Sequence, residues 1–141
     1  MSALEGSDVE VLDDQYANWN RDDGFTVMQD FLSRFSKIDA VWAQDDDIAI
    51  GVIQAVRQAR RQDELFVVGG GGMKDIVKRV MDGDELTPVD VLYPPSMIST
   101  AMELTALKLI SNTPIEGEYI LGSPLITQDN AEDYYFPDSP F

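Results

Sequence analysis

Short apolar runs of strand length alternate along this chain with longer stretches of helical periodicity, and no other feature constrains its fold as tightly. Residues 8–12 (DVEVL) alternate apolar and acidic, a strand pattern. Asn18, Trp19 and Asn20 offer cap chemistry ahead of a helix over about 21–36, where Phe25, Met28, Phe31, Leu32 and Phe35 share one face. Residues 38–43 (IDAVWA) read as a buried strand. Asp45 or Asp46 can accept from the free N–H groups of the helix that follows, which turns Ile48, Val52, Ala55, Val56 and Ala59 inward and carries Arg57, Arg60 and Arg61 near its end. A third strand, 65–68 (LFVV), runs into four glycines, 69–72. The next helix sets Ile76, Val77, Val80 and Met81 on one face and stops at Asp82-Gly83. Residues 89–92 (VDVL) form a strand, Pro94-Pro95 open another helix, 119–126 hold a last strand, and Thr127 caps a short final helix. The order β-α-β-α-β-α-β-α-β specifies an α/β fold, a mainly parallel sheet flanked by helices. The tail YYFPDSPF is expected to pack by its aromatic rings.

One helix departs from the amphipathic rule. Between residues 96 and 110 the only charges are Glu103 and Lys108, and apolar side chains cover most of the girth. Such a helix expects burial on more than one side. Either it is central to a compact domain, or the surface that covers it lies outside these residues.

Composition removes whole classes of function. With 10 Lys+Arg against 26 Asp+Glu, the net charge of −16 argues against nucleic acid and anionic membranes as partners. The absence of Cys and His excludes disulfides, thiol nucleophiles, His-bearing zinc sites and Ser-His-Asp triads. No apolar run approaches the roughly 20 residues of a membrane span. The opening MSALEGSDVE lacks a basic segment leading into an apolar one; a complete protein of that kind would stay in the cytoplasm, whereas a fragment carries no such implication. The length of 141 residues suits one domain.

In open α/β sheets, ligands bind beyond the carboxyl ends of the strands. Here those positions carry Tyr16, Asn18 and Trp19 after the first strand, Gln44 and the aspartates 45–47 after the second, the glycine run after the third, and Tyr93 after the fourth. Aromatic faces beside a few fixed acceptors match a polyhydroxylated ligand, whose C–H faces stack and whose hydroxyls donate. The plainer roles are Trp19 as a staple on its helix start and the aspartates as a cap with solvated neighbours. The glycine run is no phosphate loop, because Met73-Lys74-Asp75 follows it where a G-K-[ST] ending is required. No carboxylate is paired with a nucleophile, so the chain reads as a binding protein and not an enzyme, with no metal and no cofactor. A small α/β enzyme or nucleotide-binding module would need a phosphate loop or a catalytic dyad.

The segments NWNRDDGFTVMQD (18–30), IDAVWAQDDDIAIGVIQA (38–55), VVGGGG (67–72) and VDVLYPPSMI (89–98), continuing to YYFPDSPF, resemble the periplasmic sugar-binding proteins of ABC importers, of the ribose-binding type. The resemblance covers nearly the whole chain, and its most specific segment is A-Q-D-D-D-I-A-I-G (43–51). It implies a Rossmann-like lobe of the two-lobe periplasmic-binding-protein fold, with a sugar or polyol held between lobes and presented to a membrane permease, outside the cytoplasm. Only the C-terminal part of such a protein is matched. Residues 1–93 would form the α/β portion of that lobe, 94–116 a crossover helix packing on the other lobe, and 117–141 the final strand, short helix and tail.

Carried over by position, Trp19 falls where an aromatic stacks on the sugar. Asp45 falls where an asparagine usually bonds hydroxyls, and Tyr93 falls near a glutamine at the hinge. Gly70 and Gly71 line the wall. Gly71 stands where many members have an aspartate within G-F-D-G, which counts against ribose itself and leaves room for a different or bulkier ligand. Asp46 would cap its helix rather than touch ligand. The alternative is the effector-binding domain of a lac-repressor-type regulator, which shares the fold and would carry an upstream helix-turn-helix. Alone, the chain would bind weakly and self-associate through its apolar helix.

Overall fold

The computed structural model describes residues 4–93 and 95–141. Its elements are α1 (Arg21–Arg34), β1 (Ala40–Trp42), α2 (Asp46–Gln58), β2 (Phe66–Val68), α3 (Lys74–Met81), β3 (Val89–Val91), α4 (Met97–Ile110) and β4 (Leu125–Thr127), followed by a 3₁₀ turn at Ala131–Tyr134. β1 and β2 pair in parallel, Ala40 opposite Phe66 and Trp42 opposite Val68. β3 and β4 pair antiparallel. The two pairs are joined by the Val67 N–H donating to Leu86 O at 2.7 Å, the Gly71 N–H donating to Val91 O at 2.8 Å, and a parallel bridge between Gly71 and Leu92. The α/β layer is thus the one the alternation specifies, without its first strand and with its last strand reversed.

Helix starts follow from cap chemistry. Asn20 Oδ1 accepts from the N–H groups of Asp22 and Asp23 ahead of α1, and Asp45 Oδ1 does the same for Asp47 and Ile48 ahead of α2. Helix α3 ends at Met81 with Asp82 as its cap, and Gly83 follows with φ +73°, the left-handed stop that glycine adopts without strain. Arg61 does more than complement a helix end. Its guanidinium donates to Leu32 O and Phe35 O, which closes the exposed carbonyls of α1, and it pairs with Glu64.

The main core gathers Met28 from α1, Val52, Ile53 and Val56 from α2, and Ile38, Leu65 and Val67 beside the parallel strands. A second cluster of Val77, Val80, Ile126 and Ala131 lies under Tyr134 and Tyr135, so the tail does pack by two of its rings while Phe136 stays exposed. Helices α1 and α2 approach unusually closely. A Cβ on Gly51 would lie 2.1 Å from Arg21 O, and one on Gly24 would lie 2.9 Å from Ile48 O. Arg21 and Asp47 complete the contact with an ion pair at 2.6 Å, so the N-terminal ends of both helices lie together.

Three expectations are corrected. Residues 8–12 form no strand, and Val9, Val11 and Leu12 are exposed. Their alternation fits a pleat, but a pleat needs a neighbour's edge, and no described strand offers one. The last strand covers only Leu125–Thr127 of the expected 119–126, and Tyr119, Ile120 and Leu121 are exposed. Thr127 is not a cap; it ends β4 and donates its N–H to Asn130 Oδ1 at 2.8 Å. Pro94, expected to open the crossover helix with Pro95, lies outside the described residues. No residue of α4 is buried.

Candidate functional site

The carboxyl ends of β1, β2 and β3 converge where the sequence places its candidate residues. From β1 come Gln44 and the aspartates opening α2, from β2 the glycine run, and from β3 Tyr93. Two buried carboxyl groups, Asp46 and Asp90, form the floor. Asp46 Oδ1 accepts from the Gly70 N–H at 2.9 Å and its Oδ2 from the Met73 N–H at 2.7 Å. Asp90 Oδ2 accepts from the Gly72 N–H at 3.1 Å and its Oδ1 from the Val91 N–H at 2.8 Å. The glycine run is therefore pinned from beneath by side chains, and its amides point down into the fold. A Cβ at Gly69 would stand 2.4 Å from Asp46 Oδ1 and 3.1 Å from Asp90 Oδ1, so only glycine leaves space for the pair there.

Two carboxylates cannot both be charged in such a place. Burial, then the charge of Asp46, pushes the Asp90 carboxyl up to about 8. Burial also raises Asp46, against the opposing pull of the Met73 amide, the Asp90 hydrogen bond and the Gly70 amide. At neutral pH Asp90 keeps its proton and donates it to Asp46, which remains the acceptor for two amides. The expected role of Asp46 as a cap is corrected: Asp45 is the cap, and Asp46 reaches across to the glycines. Among the described residues no group of three acidic side chains is arranged to hold a metal ion.

Above this floor, Tyr93 lays its ring against Gly70, with Cε1 3.0 Å from where a Cβ would be. Its hydroxyl donates to Gln44 O at 2.8 Å, tying the end of β3 to the end of β1. Burial raises the Tyr93 phenol, and the charges of Asp45, Asp46 and Asp90 raise it further, so the hydroxyl stays protonated. Asp45 spends Oδ1 on two cap hydrogen bonds, and among the described residues no donor reaches its Oδ2. Asp45, Gly70, Gly71 and Tyr93 are thus brought together.

Trp19 is placed differently. It is 68% exposed, in a turn where Asn18 and Trp19 both take positive φ (48° and 55°) immediately before the α1 cap. It stands at the same end of the molecule, because α1 starts beside α2, but no hydrogen bond or ring contact joins it to the other four. That exposure does not fit a packing staple. Tyr16 is 96% exposed and Asn18 bonds Asp23, so neither joins the cluster.

Asp90 was missed by pattern reading, although its signal was present. An acid in the middle of V-D-V-L, at an inward position of a strand, requires a partner or a proton.

A family profile, the periplasmic binding protein domain, matches residues 1–112. The xylitol-binding protein of Mycolicibacterium smegmatis is 31% identical over 131 residues, covering 89% of this chain and 35% of that protein. A putative rhizopine-binding protein of Rhizobium meliloti is 32% identical over 126 residues, covering 89% of this chain and 40% of that one. The ribose import binding protein of Escherichia coli is 31% identical over 118 residues, covering 84% and 39%. The chain therefore spans well under half the length of these relatives. Among solved structures, an ABC transporter solute-binding protein from Mycobacterium smegmatis with bound glycerol superposes with TM-score 0.84 at 25% identity, covering 97% of this chain and 47% of that one. A galactofuranose-binding protein superposes with TM-score 0.79 at 26% identity, covering 89% and 44%.

Proposed function

The chain belongs to the periplasmic binding protein family, and from that premise we propose that it supplies one wall of a cleft that binds a small sugar or polyol for import. The observation that carries this reading is the cluster of Asp45, Gly70, Gly71 and Tyr93 at the carboxyl ends of β1, β2 and β3, on a floor that the Asp46–Asp90 pair holds rigid. Preorganised acceptors beside side-chain-free backbone let a hydroxylated ligand approach closely at little ordering cost. In this reading Asp45 Oδ2 accepts from a ligand hydroxyl, and the Tyr93 oxygen accepts from another while donating to Gln44. Trp19 stacks on the ligand from its exposed turn. The protein binds and presents; it catalyses nothing.

The facing wall would come from sequence beyond these 141 residues. Closure of two lobes around ligand would then create the form that a membrane permease recognises, outside the cytoplasm. The family and the import-binding relatives favour this reading over the effector domain of a transcription regulator. The division into an α/β portion (1–93), a crossover helix (94–116) and a closing strand and tail (117–141) belongs to the same proposal. Taken alone, the chain would self-associate through the uncovered α4.

The test is a thermal melt of the complete reading frame against xylitol, D-ribose, D-apiose and D-fructose. Ligand at 100 times its dissociation constant adds about 2.7 kcal/mol of stability. A shift with one of these compounds that vanishes in Trp19→Ala supports both function and site. No shift with any of the four defeats the sugar reading.

A further inference from the structure

The glycine run carries a second aromatic ring besides Tyr93. Phe141 Cζ lies 3.3 Å from where a Cβ on Gly71 would be, and Tyr93 Cε1 lies 3.0 Å from the corresponding point on Gly70. Two adjacent glycines therefore seat two rings, at the end of the molecule where the binding cluster lies. Gly71 has φ +141°, a conformation that L side chains rarely adopt, so this position is held for backbone alone.

Phe141 is not there by simple burial. It belongs to neither core cluster and keeps part of its surface open. It is instead delivered by polar contacts. Lys74, the first residue of α3 and the second after the glycine run, donates from Nζ to Ser139 O at 2.6 Å. The Phe141 N–H donates to Ser139 Oγ at 3.1 Å, and the Ser139 N–H donates to Phe136 O at 3.0 Å. Upstream, Tyr134 and Tyr135 fasten the tail to the second core. The segment is thus tied at two points, and the ring beyond the second rests on Gly71. The resemblance left open space at Gly71 for a bulkier ligand; the tail of this chain occupies it.

We propose that Phe141 is an aromatic wall of the ligand cleft that receives the C–H face of a small polyhydroxylated ligand seated beside the glycine run, with Lys74 as the positioning residue that holds the tail in place. The inference rests on the binding function proposed above and adds its selectivity. A phenyl ring offers a hydroxyl neither donor nor acceptor, so a ligand hydroxyl aimed at Gly71 would lose its water without finding a partner. Hydroxyls are satisfied on the opposite edge, by Asp45 Oδ2 and Tyr93. The cleft therefore orients its ligand with an apolar face to Phe141 and a hydroxylated edge to α2 and β3, and disfavours isomers that place a hydroxyl on the ring side.

Isothermal titration of the complete reading frame against the same four compounds tests this, using Phe141→Ala, Phe141→Leu, Lys74→Met and Trp19→Ala. For the compound that binds, Phe141→Ala should weaken affinity about 3–10-fold and narrow the preference over the others. Phe141→Leu should fall between, because it keeps apolar contact without a flat face. Lys74→Met should weaken binding in the same direction without altering the ring, and it carries the test should Phe141→Ala fail to fold. Affinities unchanged in Phe141→Ala and Lys74→Met while Trp19→Ala loses binding would place the ring outside the site and overturn the inference, with the binding function intact. No binding of any of the four by the unmodified protein would defeat that function and this inference with it.

Discussion

Helix α2 and helix α4 are nearly equal in length and both rich in aliphatic residues, yet they end in opposite environments. In α2, Ala49, Val52, Ile53, Ala55 and Val56 are buried; in α4 nothing is, and Ile110 and Leu109 are 84% and 76% exposed. α2 has its apolar side chains on one stripe, a sheet beneath that stripe, and α1 close enough that two glycines are needed at the crossing. α4 is apolar nearly all round, and among the described residues no other helix or strand buries any of its side chains. Hydrophobicity supplies the tendency to be buried, but a complementary surface decides whether burial happens. The same contrast separates the tightly hydrogen-bonded floor beneath the glycine run from the open segment between α4 and β4.

The contrast is broken most severely at the floor. Asp46→Ala would leave the buried Gly70 amide and the half-buried Met73 amide without acceptors, and Asp90 without its partner. At roughly 1–3 kcal/mol for each unsatisfied group, urea denaturation should show a loss of about 3 kcal/mol or more. Next comes the helix crossing. Gly51→Ala puts a methyl 2.1 Å from Arg21 O, a backbone atom that cannot rotate away. Prying α1 from α2 should cost about 2 kcal/mol or more despite the better helix propensity of alanine. Gly122→Ala meets nothing within 4 Å and should change stability by less than about 0.5 kcal/mol. Equal losses at 51 and 122 would erase the distinction between the two regions.

Much of this was legible in the residues. The strand-helix alternation from residue 21 to residue 110, the Asn20 and Asp45 caps and the Gly83 stop are local signals with local causes, and the structure honours them. Four of the five candidate residues come together because one rule of open sheets, ligand at the carboxyl ends, selects them directly from strand order. What stayed hidden depends on distant partners. The DVEVL pattern (8–12) specifies a pleat but not the edge it must pair with. Asp45 and Asp46 are both acids at a helix start, and only the position of the glycine run decides which caps and which crosses over. The seat of Phe141 on Gly71 depends on a lysine 67 residues earlier in sequence, a relation that no periodicity encodes.

The floor also gives the compact region a pH dependence. Asp90 has a native value of about 8 and an ordinary carboxyl value once unfolded, so between these limits the native state holds a proton that the unfolded chain has released. Stability from this group is therefore fully present below the unfolded value and declines as pH rises toward 8, by up to about 1.4 kcal/mol per pH unit. Asp46, also raised, acts in the same direction. Glu64 and Asp13, lowered chiefly by Arg61 and Arg34, act oppositely and only in the acid range, as pH falls through their values. Melts from pH 5 to pH 8 should show falling stability. Asp90→Asn, which can still accept from an amide and donate to Asp46, should flatten that slope. A slope that survives the substitution would locate the proton elsewhere.

The smallest effect is expected where the apolar content is highest. Ile110→Lys on α4 adds a charge to a side chain that water already surrounds, so in the 141-residue chain it should move urea stability by less than about 0.5 kcal/mol. In the complete reading frame the same substitution tests the proposed cover. Burying an isoleucine there would contribute about 1.5–3 kcal/mol, and a buried lysine would forfeit at least that much. Sedimentation of the short chain tests the proposed self-association at the same time: a like charge on every copy opposes association through that face, so the substituted chain should be the more monomeric of the two. A loss above about 1 kcal/mol in the short chain itself would mean that α4 already packs within these residues. The difference between the two chains, and not either value alone, measures how much of the stability of α4 depends on a surface supplied from outside.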